Sequence, residues 1–208
     1  AEPHPLWSIM VMREEPQTVV DVHRDFLMAG ARVLTLNNYA ATPIRLARVG
    51  MESELAHIHH HASYLLDQAI ESSGISRSTL SKMGCLPPLA ASYVADVAPD
   101  YDRARSQYEQ LIDAQIVHVD GFLVETMSNL TEMSAARDAL VAANQPVRIG
   151  MTLEDDWSNR LRSGEPLSSA IEILADGPLE SVMINCSQPE PIPEALSELA
   201  NLGCAYGA

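Results

Sequence analysis

The sequence predicts an α/β protein built as a (β/α)8 TIM-type barrel, on three observations. Short apolar segments alternate with amphipathic ones along nearly the whole chain. The apolar segments are rich in Val, Ile, Leu and Met without strict polar alternation, the pattern of parallel strands buried on both faces. No G-x-G-x-x-G or P-loop follows any of them, so a nucleotide-binding doubly wound sheet lacks its marker.

The elements follow in order. The candidate strands are Val33–Tyr39, Ser81–Leu86, His118–Glu125, Val147–Leu153, Ser181–Ser187 and Gly203–Gly207. Pro16 opens the helix Pro16–Ala29, with Glu14 and Glu15 at its positive end and Gly30 as its stop. Glu52–Ser73 closes at Gly74, and Asp102–Gln115 follows. Ser128 is the expected N-cap of Ser128–Asn144. Leu167–Ala175 and Pro193–Asn201 complete the set. Six strands in 208 residues fall short of a full barrel of about 250. The chain starts at Ala1 and stops at Ala208 within a strand pattern, so it reads as an incomplete barrel lacking its first strand and its C-terminal strand or strands. A single domain over 1–208 is expected.

Charge and composition narrow the function. The formal net charge is −15, with 13 basic residues spread thinly, which excludes a phosphate-tracking surface for nucleic acid and disfavours an anionic membrane. No apolar run approaches the roughly 18–20 residues of a membrane span, and no secretory signal is visible. Three distant cysteines, Cys85, Cys186 and Cys204, read as reduced thiols of a cytoplasmic protein. Small-molecule substrates are the expected partners, with homo-oligomerisation left open. Lys82 is the only lysine, which makes a Schiff-base aldolase a poor alternative.

The polar residues at strand ends carry the chemistry, because barrel strands converge there on one mouth. They are Asn37, Asn38 and Tyr39, then Cys85, Glu125 with Thr126, and Asn185-Cys186-Ser187. Asn37 and Asn38 have an equal claim as turn residues. Glu125 follows the apolar run Phe122-Leu123-Val124, and a carboxylate buried there needs a base or a cationic ligand. Cys186 taken alone reads as a small buried hydrophobe. His57, His59, His60 and His61 read as a partly exposed helical face, and Trp7 and Trp157 as packing residues.

Several stretches together resemble the homocysteine S-methyltransferase family. They are Pro5-Leu6-Trp7-Ser8, Val22-His23 with Ala29-Gly30-Ala31, and Asn37 with Tyr39. Further along come Gly84-x-Leu86-x-Pro88 with Ser92-Tyr93, and Asp120-x-Phe122-x-x-Glu125-Thr126. Leu161-Arg162-Ser163-Gly164-Glu165-Pro166-Leu167 and Val182-x-x-Asn185-Cys186-Ser187 complete the series. The resemblance runs nearly end to end and implies a zinc-dependent barrel enzyme that transfers a methyl group to the thiol of homocysteine, giving methionine. Implied donors are cations such as S-methylmethionine, S-adenosylmethionine or betaine. Glu125, Asn37, Tyr39 and Asn185 are the implied substrate-binding residues. Cys186 is the implied zinc ligand; the other two expected cysteines, an adjacent pair, are not in this chain. The family's N-terminal Asp-Gly-Gly strand is missing as well, and Leu36 and Asn38 stand where its motif has threonines. Zinc would turn a mostly protonated thiol into the thiolate that attacks a methyl group. A non-catalytic barrel that binds a sulfur amino acid is the second hypothesis.

Overall fold

A computed structural model describes residues 4–175 and 178–208. They divide into two compact units: residues up to Cys85 with Leu111–Gly121, and Leu86–Gln110 with Phe122–Ala208.

The first unit opens with α1 (Trp7–Glu14) and α2 (Pro16–Met28). The three-residue strand β1 (Val33–Thr35) follows, then the short helix α3 (Pro43–Ala47) and the long helix α4 (Leu55–Ser73). Strand β2 (Ser81–Leu86) runs parallel to β1, with Val33 opposite Ser81 and Thr35 opposite Met83. Ile58, Ala62, Leu65, Leu66, Ala69 and Ile70 recur at helical spacing along α4, and all are buried. That stripe packs against α2 in a core with Leu6, Ile9, Met12, Leu27 and Leu34. Gly74 ends α4 at φ 70°, a left-handed cap that glycine adopts without a Cβ penalty.

The second unit carries most of α5 (Tyr101–Asp113) and strand β3 (Gly121–Met127). Then α6 (Leu130–Ala142), β4 (Val147–Met151), α7 (Leu167–Ala175), β5 (Leu179–Ile184), α8 (Ile192–Leu199) and β6 (Ala205–Gly207) alternate. β3, β4, β5 and β6 are neighbours in sequence order and every pairing is parallel. A helix between successive parallel strands is the crossover such pairing requires. The α/β class with parallel strands is therefore the observed one.

Several boundaries differ from expectation. β1 stops at Thr35, which leaves Leu36–Tyr39 in a turn. Residues 116–118 form a 3-10 turn, so β3 begins at Gly121 and runs two residues past Glu125. The N-cap of α6 is Asn129: its side chain accepts from the Glu132 amide at 2.8 Å, while the Ser128 hydroxyl turns back to the Thr126 carbonyl. α1 and α3 are helices beyond those the sequence pattern predicts. Thr42 caps α3 by accepting from the Arg45 amide, with Pro43 as first helical residue, a start signal present in the sequence.

The histidine face is also corrected. His60 is exposed, but His59 is only 1% exposed and belongs to the interior. Trp7 and Trp157 are 55% and 70% exposed, so neither is a packing residue. Lys82 is buried, bonded to Asp67 at 2.6 Å and the Ser63 carbonyl at 3.1 Å, which ties the lone amine into a structural pair.

Candidate active site

In the second unit the C-terminal ends of β3, β4 and β5 meet through side chains. The β3–β4 register advances three residues on β3, from Val124 to Met127, against two on β4, from Ile149 to Met151. This bulge centres on Glu125 and Thr126, and Thr126 takes φ 63°, a costly conformation for a β-branched residue. A bulge frees a backbone donor from the ladder. Here the Thr126 amide finds Asn185 Oδ1 at 3.1 Å, while Asn185 Nδ2 donates to Thr126 Oγ1 at 2.9 Å. One carboxamide thus clamps both polar ends of the strained residue.

The clamp needs space. A Cβ built on Gly150, in β4, would lie 2.9 Å from Asn185 Oδ1 and 3.4 Å from the Val124 carbonyl. Glycine at 150 lets the Asn185 side chain cross from the end of β5 to β3.

Cys186 follows directly, at φ 53°. Its free thiol is exposed, not buried as the residue type by itself suggests. The Thr126 hydroxyl (3.8 Å) and Asn185 Nδ2 (3.5 Å) both donate toward Sγ. The Cys186 carbonyl accepts from Thr152 Oγ1 at 3.0 Å, and that oxygen accepts from Arg162 Nε at 3.1 Å. Arg162 also forks onto Asp155 and lies over the Tyr93 ring, 5.1 Å from its centroid. Ser187 Oγ accepts from the Leu153 amide. The loop that carries the thiol is therefore pinned by the residues that follow β4, while the sulfur itself is reached from β3. Thr126 and Arg162 stand in the sequence stretches quoted above without an assigned role, while Thr152 and Gly150 escape sequence reasoning because each acts only through the bulge or through Cys186. A Gly inside an apolar strand was the one available signal.

Glu125 is half-buried within β3, beside the bulge that brings Thr126 to Asn185 and Cys186. Asn37 and Tyr39 belong to the first unit, in the turn after β1. Asn37 Nδ2 lies 3.4 Å from the Ser8 carbonyl, and Arg45 stands 5.3 Å above the Tyr39 ring centroid. Asn37 also edges an apolar cleft of about 280 Å³ with Trp7, Val11, Val19 and His23.

The implied zinc can be tested against these donors. Among the described residues no three His, Cys, Asp or Glu side chains are grouped to hold a metal ion. Cys204 precedes β6, at the opposite end of the parallel strands from Cys186, and Cys85 is buried inside β2. A single exposed cysteine does not fit a three-cysteine zinc centre, so no chemical step is derived through the metal. No helix is long and apolar enough to cross a membrane among the described residues.

The chain is similar to known proteins over nearly its whole length. The homocysteine S-methyltransferase family model matches residues 1–207. The homocysteine S-methyltransferase of Escherichia coli (strain K12) is 29% identical over 220 residues, spanning 95% of this chain and 67% of that protein. Homocysteine S-methyltransferase 1 of Brassica oleracea var. italica is 24% identical over the same shares. The oxidized form of the homocysteine methyltransferase MmuM from Escherichia coli superposes with a TM-score of 0.84 at 26% identity, covering 97% of this chain and 73% of that one. A parallel α/β fold with an Asn-Cys pair at one strand end and a Glu-Thr bulge at another, matched by the family model over all but the last residue, belongs to the homocysteine S-methyltransferase family of enzymes.

Proposed function

We propose that this chain transfers a methyl group from a cationic donor to the thiol of homocysteine, giving methionine, on a single homocysteine-binding barrel domain. The observation that carries the reading is the exposed Cys186 thiol, held in a left-handed backbone by Asn185, Thr126 and Thr152 beside the Glu125 bulge. In the reaction the S–CH3 bond of methionine forms as the donor's S–CH3 or N–CH3 bond breaks. The thiol proton leaves to water and the donor departs neutral. Aligning donor carbon and sulfur is chiefly a matter of positioning.

Glu125 is proposed to bind the ammonium group of homocysteine, with Asn37 and Tyr39 as further contacts to the amino acid. Asn185 enters this reading with its carboxamide already engaged by Thr126, which favours an organising part over direct substrate contact. Zinc is the metal to test, with Cys186 as the cysteine offered to it. S-methylmethionine, S-adenosylmethionine and betaine are the donors to try, in a reducing, cytoplasmic setting.

The test is methionine formation from homocysteine and each donor by the purified protein, with metal content measured in parallel. Activity with at least one donor is expected, and Cys186→Ser should lower it by ~10³-fold or more, about 4 kcal/mol of lost transition-state stabilisation. Homocysteine binding without methionine from any donor would overturn the catalytic reading in favour of a binding protein.

A further inference from the structure

His59 lies in the first turns of α4, where burial by itself suggests nothing but a core histidine. Its bonds point elsewhere. Nε2 is 3.0 Å from the Ala41 carbonyl; a carbonyl only accepts, so this nitrogen carries the proton. Nδ1 is then the acceptor, 2.8 Å from Asn38 Nδ2. Asn38 Nδ2 also donates to Gln115 Oε1 at 2.6 Å. Gln115 is fully buried and spends its own amide hydrogens on the carbonyls of Leu111 (2.8 Å) and Cys85 (3.4 Å).

Within the turn, the Asn38 amide donates to the Leu36 carbonyl and the Ala41 amide to the Asn38 carbonyl. One imidazole therefore holds the turn at both ends, residues 38 and 41. Between and beside those points stand Asn37 and Tyr39. Neither can shift its backbone far without breaking a buried hydrogen bond. A histidine kept only to fill space would not direct both nitrogens onto the one segment that carries two candidate contacts.

We propose that His59 is a positioning residue for homocysteine, acting with Asn38 and Gln115 to fix the turn 37–42 that presents Asn37 and Tyr39. The role rests on the reading of those two residues as substrate contacts given above. Burial lowers the imidazole pKa to about 4, against a smaller opposing effect of the Ala41 bond, so the clamp stays neutral at neutral pH.

Three substitutions in the whole protein separate this role from plain stability. His59→Gln places an amide near Nε2 and keeps the Ala41 bond. His59→Asn places an acceptor near Nδ1 and keeps the Asn38 bond. His59→Leu keeps neither. The measurements are KM and kcat for homocysteine, its Kd by calorimetry, and the melting temperature, with Asn37→Ala and Tyr39→Phe alongside. Expected is a KM and Kd about tenfold higher in His59→Leu and about threefold higher in the other two, with kcat within about twofold. If His59→Leu does not fold, the Gln and Asn variants decide on the same criterion. Folded variants that bind homocysteine within about twofold of wild type, or lose kcat with KM unchanged, overturn the role. Asn37→Ala and Tyr39→Phe binding as wild type would overturn it too. A wild-type protein that binds no homocysteine overturns the functional reading, and this role with it.

Discussion

Asn185 shows how much one side chain organises. Its carboxamide satisfies the amide and hydroxyl of Thr126 and still directs a hydrogen toward Cys186. Its path is open because residue 150 has no Cβ. Gly150→Ala should therefore act through Asn185. A contact at 2.9 Å is too close to keep, and displacing the carboxamide leaves the Thr126 amide without its acceptor. The expected cost is about 1–3 kcal/mol of stability, with reduced methyl transfer. In the double variant with Asn185→Ala the two losses should not add, because the clash and its consequence are removed together. Urea unfolding of the four proteins measures this; strictly additive losses would mean that Gly150 serves some other purpose.

At the scale of elements, the start of α6 is a compact polar knot. Asn129 caps the helix through the Glu132 amide, and the buried Glu132 carboxylate accepts from the Leu89 amide at 2.6 Å and from Asn129 Nδ2 at 3.4 Å. The cap bond satisfies a backbone donor that a helix start otherwise leaves bare, and the return bond fixes the cap side chain. Asn129→Ala should lower stability by about 1–2 kcal/mol, more than Ser128→Ala, whose hydroxyl turns to the Thr126 carbonyl at 3.3 Å instead of capping the helix. Thermal melts of the two variants compare the caps directly. Both residues have good capping chemistry, and the sequence favours Ser128 because it comes first after the strand. The bulge on β3 moves the helix start one residue on.

For the whole molecule, the histidines set the response to acid. Burial lowers the pKa of His59 to about 4 and also lowers that of His23. His61 and His118 are lowered by desolvation first, then by neighbouring charges: His57 and His60 for the former, His60 and Lys82 for the latter, where Asp67 opposes. His60 and His118 are stacked with ring centroids 4.8 Å apart. Each group is a weaker base folded than unfolded, so the unfolded chain takes up protons first as pH falls. The stabilisation is complete above about pH 6.5 and declines below it, for His59 down to about pH 4 at roughly 1.4 kcal/mol per pH unit. Unfolding free energies at pH 7, 6 and 5 should show this decline, and His59→Gln should flatten it by about one proton's slope. A wild-type stability that is level or rising toward pH 5 would contradict the burial of these groups.

The sequence by itself determined the α/β class, the position of β2 to the residue, the helices α2, α4 and α7 to within a few residues, and the family through Asn185-Cys186 and Glu125-Thr126. These depend on local period, on caps such as Gly74 and on contiguous residues, all of which survive in one dimension. Only the tertiary structure decided that Thr126, Gly150 and Asn185 form a single clamp around Cys186, and that His59 faces the turn after β1 instead of solvent. The clamp's contacts join residues 35 to 60 positions apart at the ends of three strands, and His59 reaches a turn 18 to 21 positions earlier. Their pairing follows from strand register and a one-residue bulge, which no local pattern of residue types encodes.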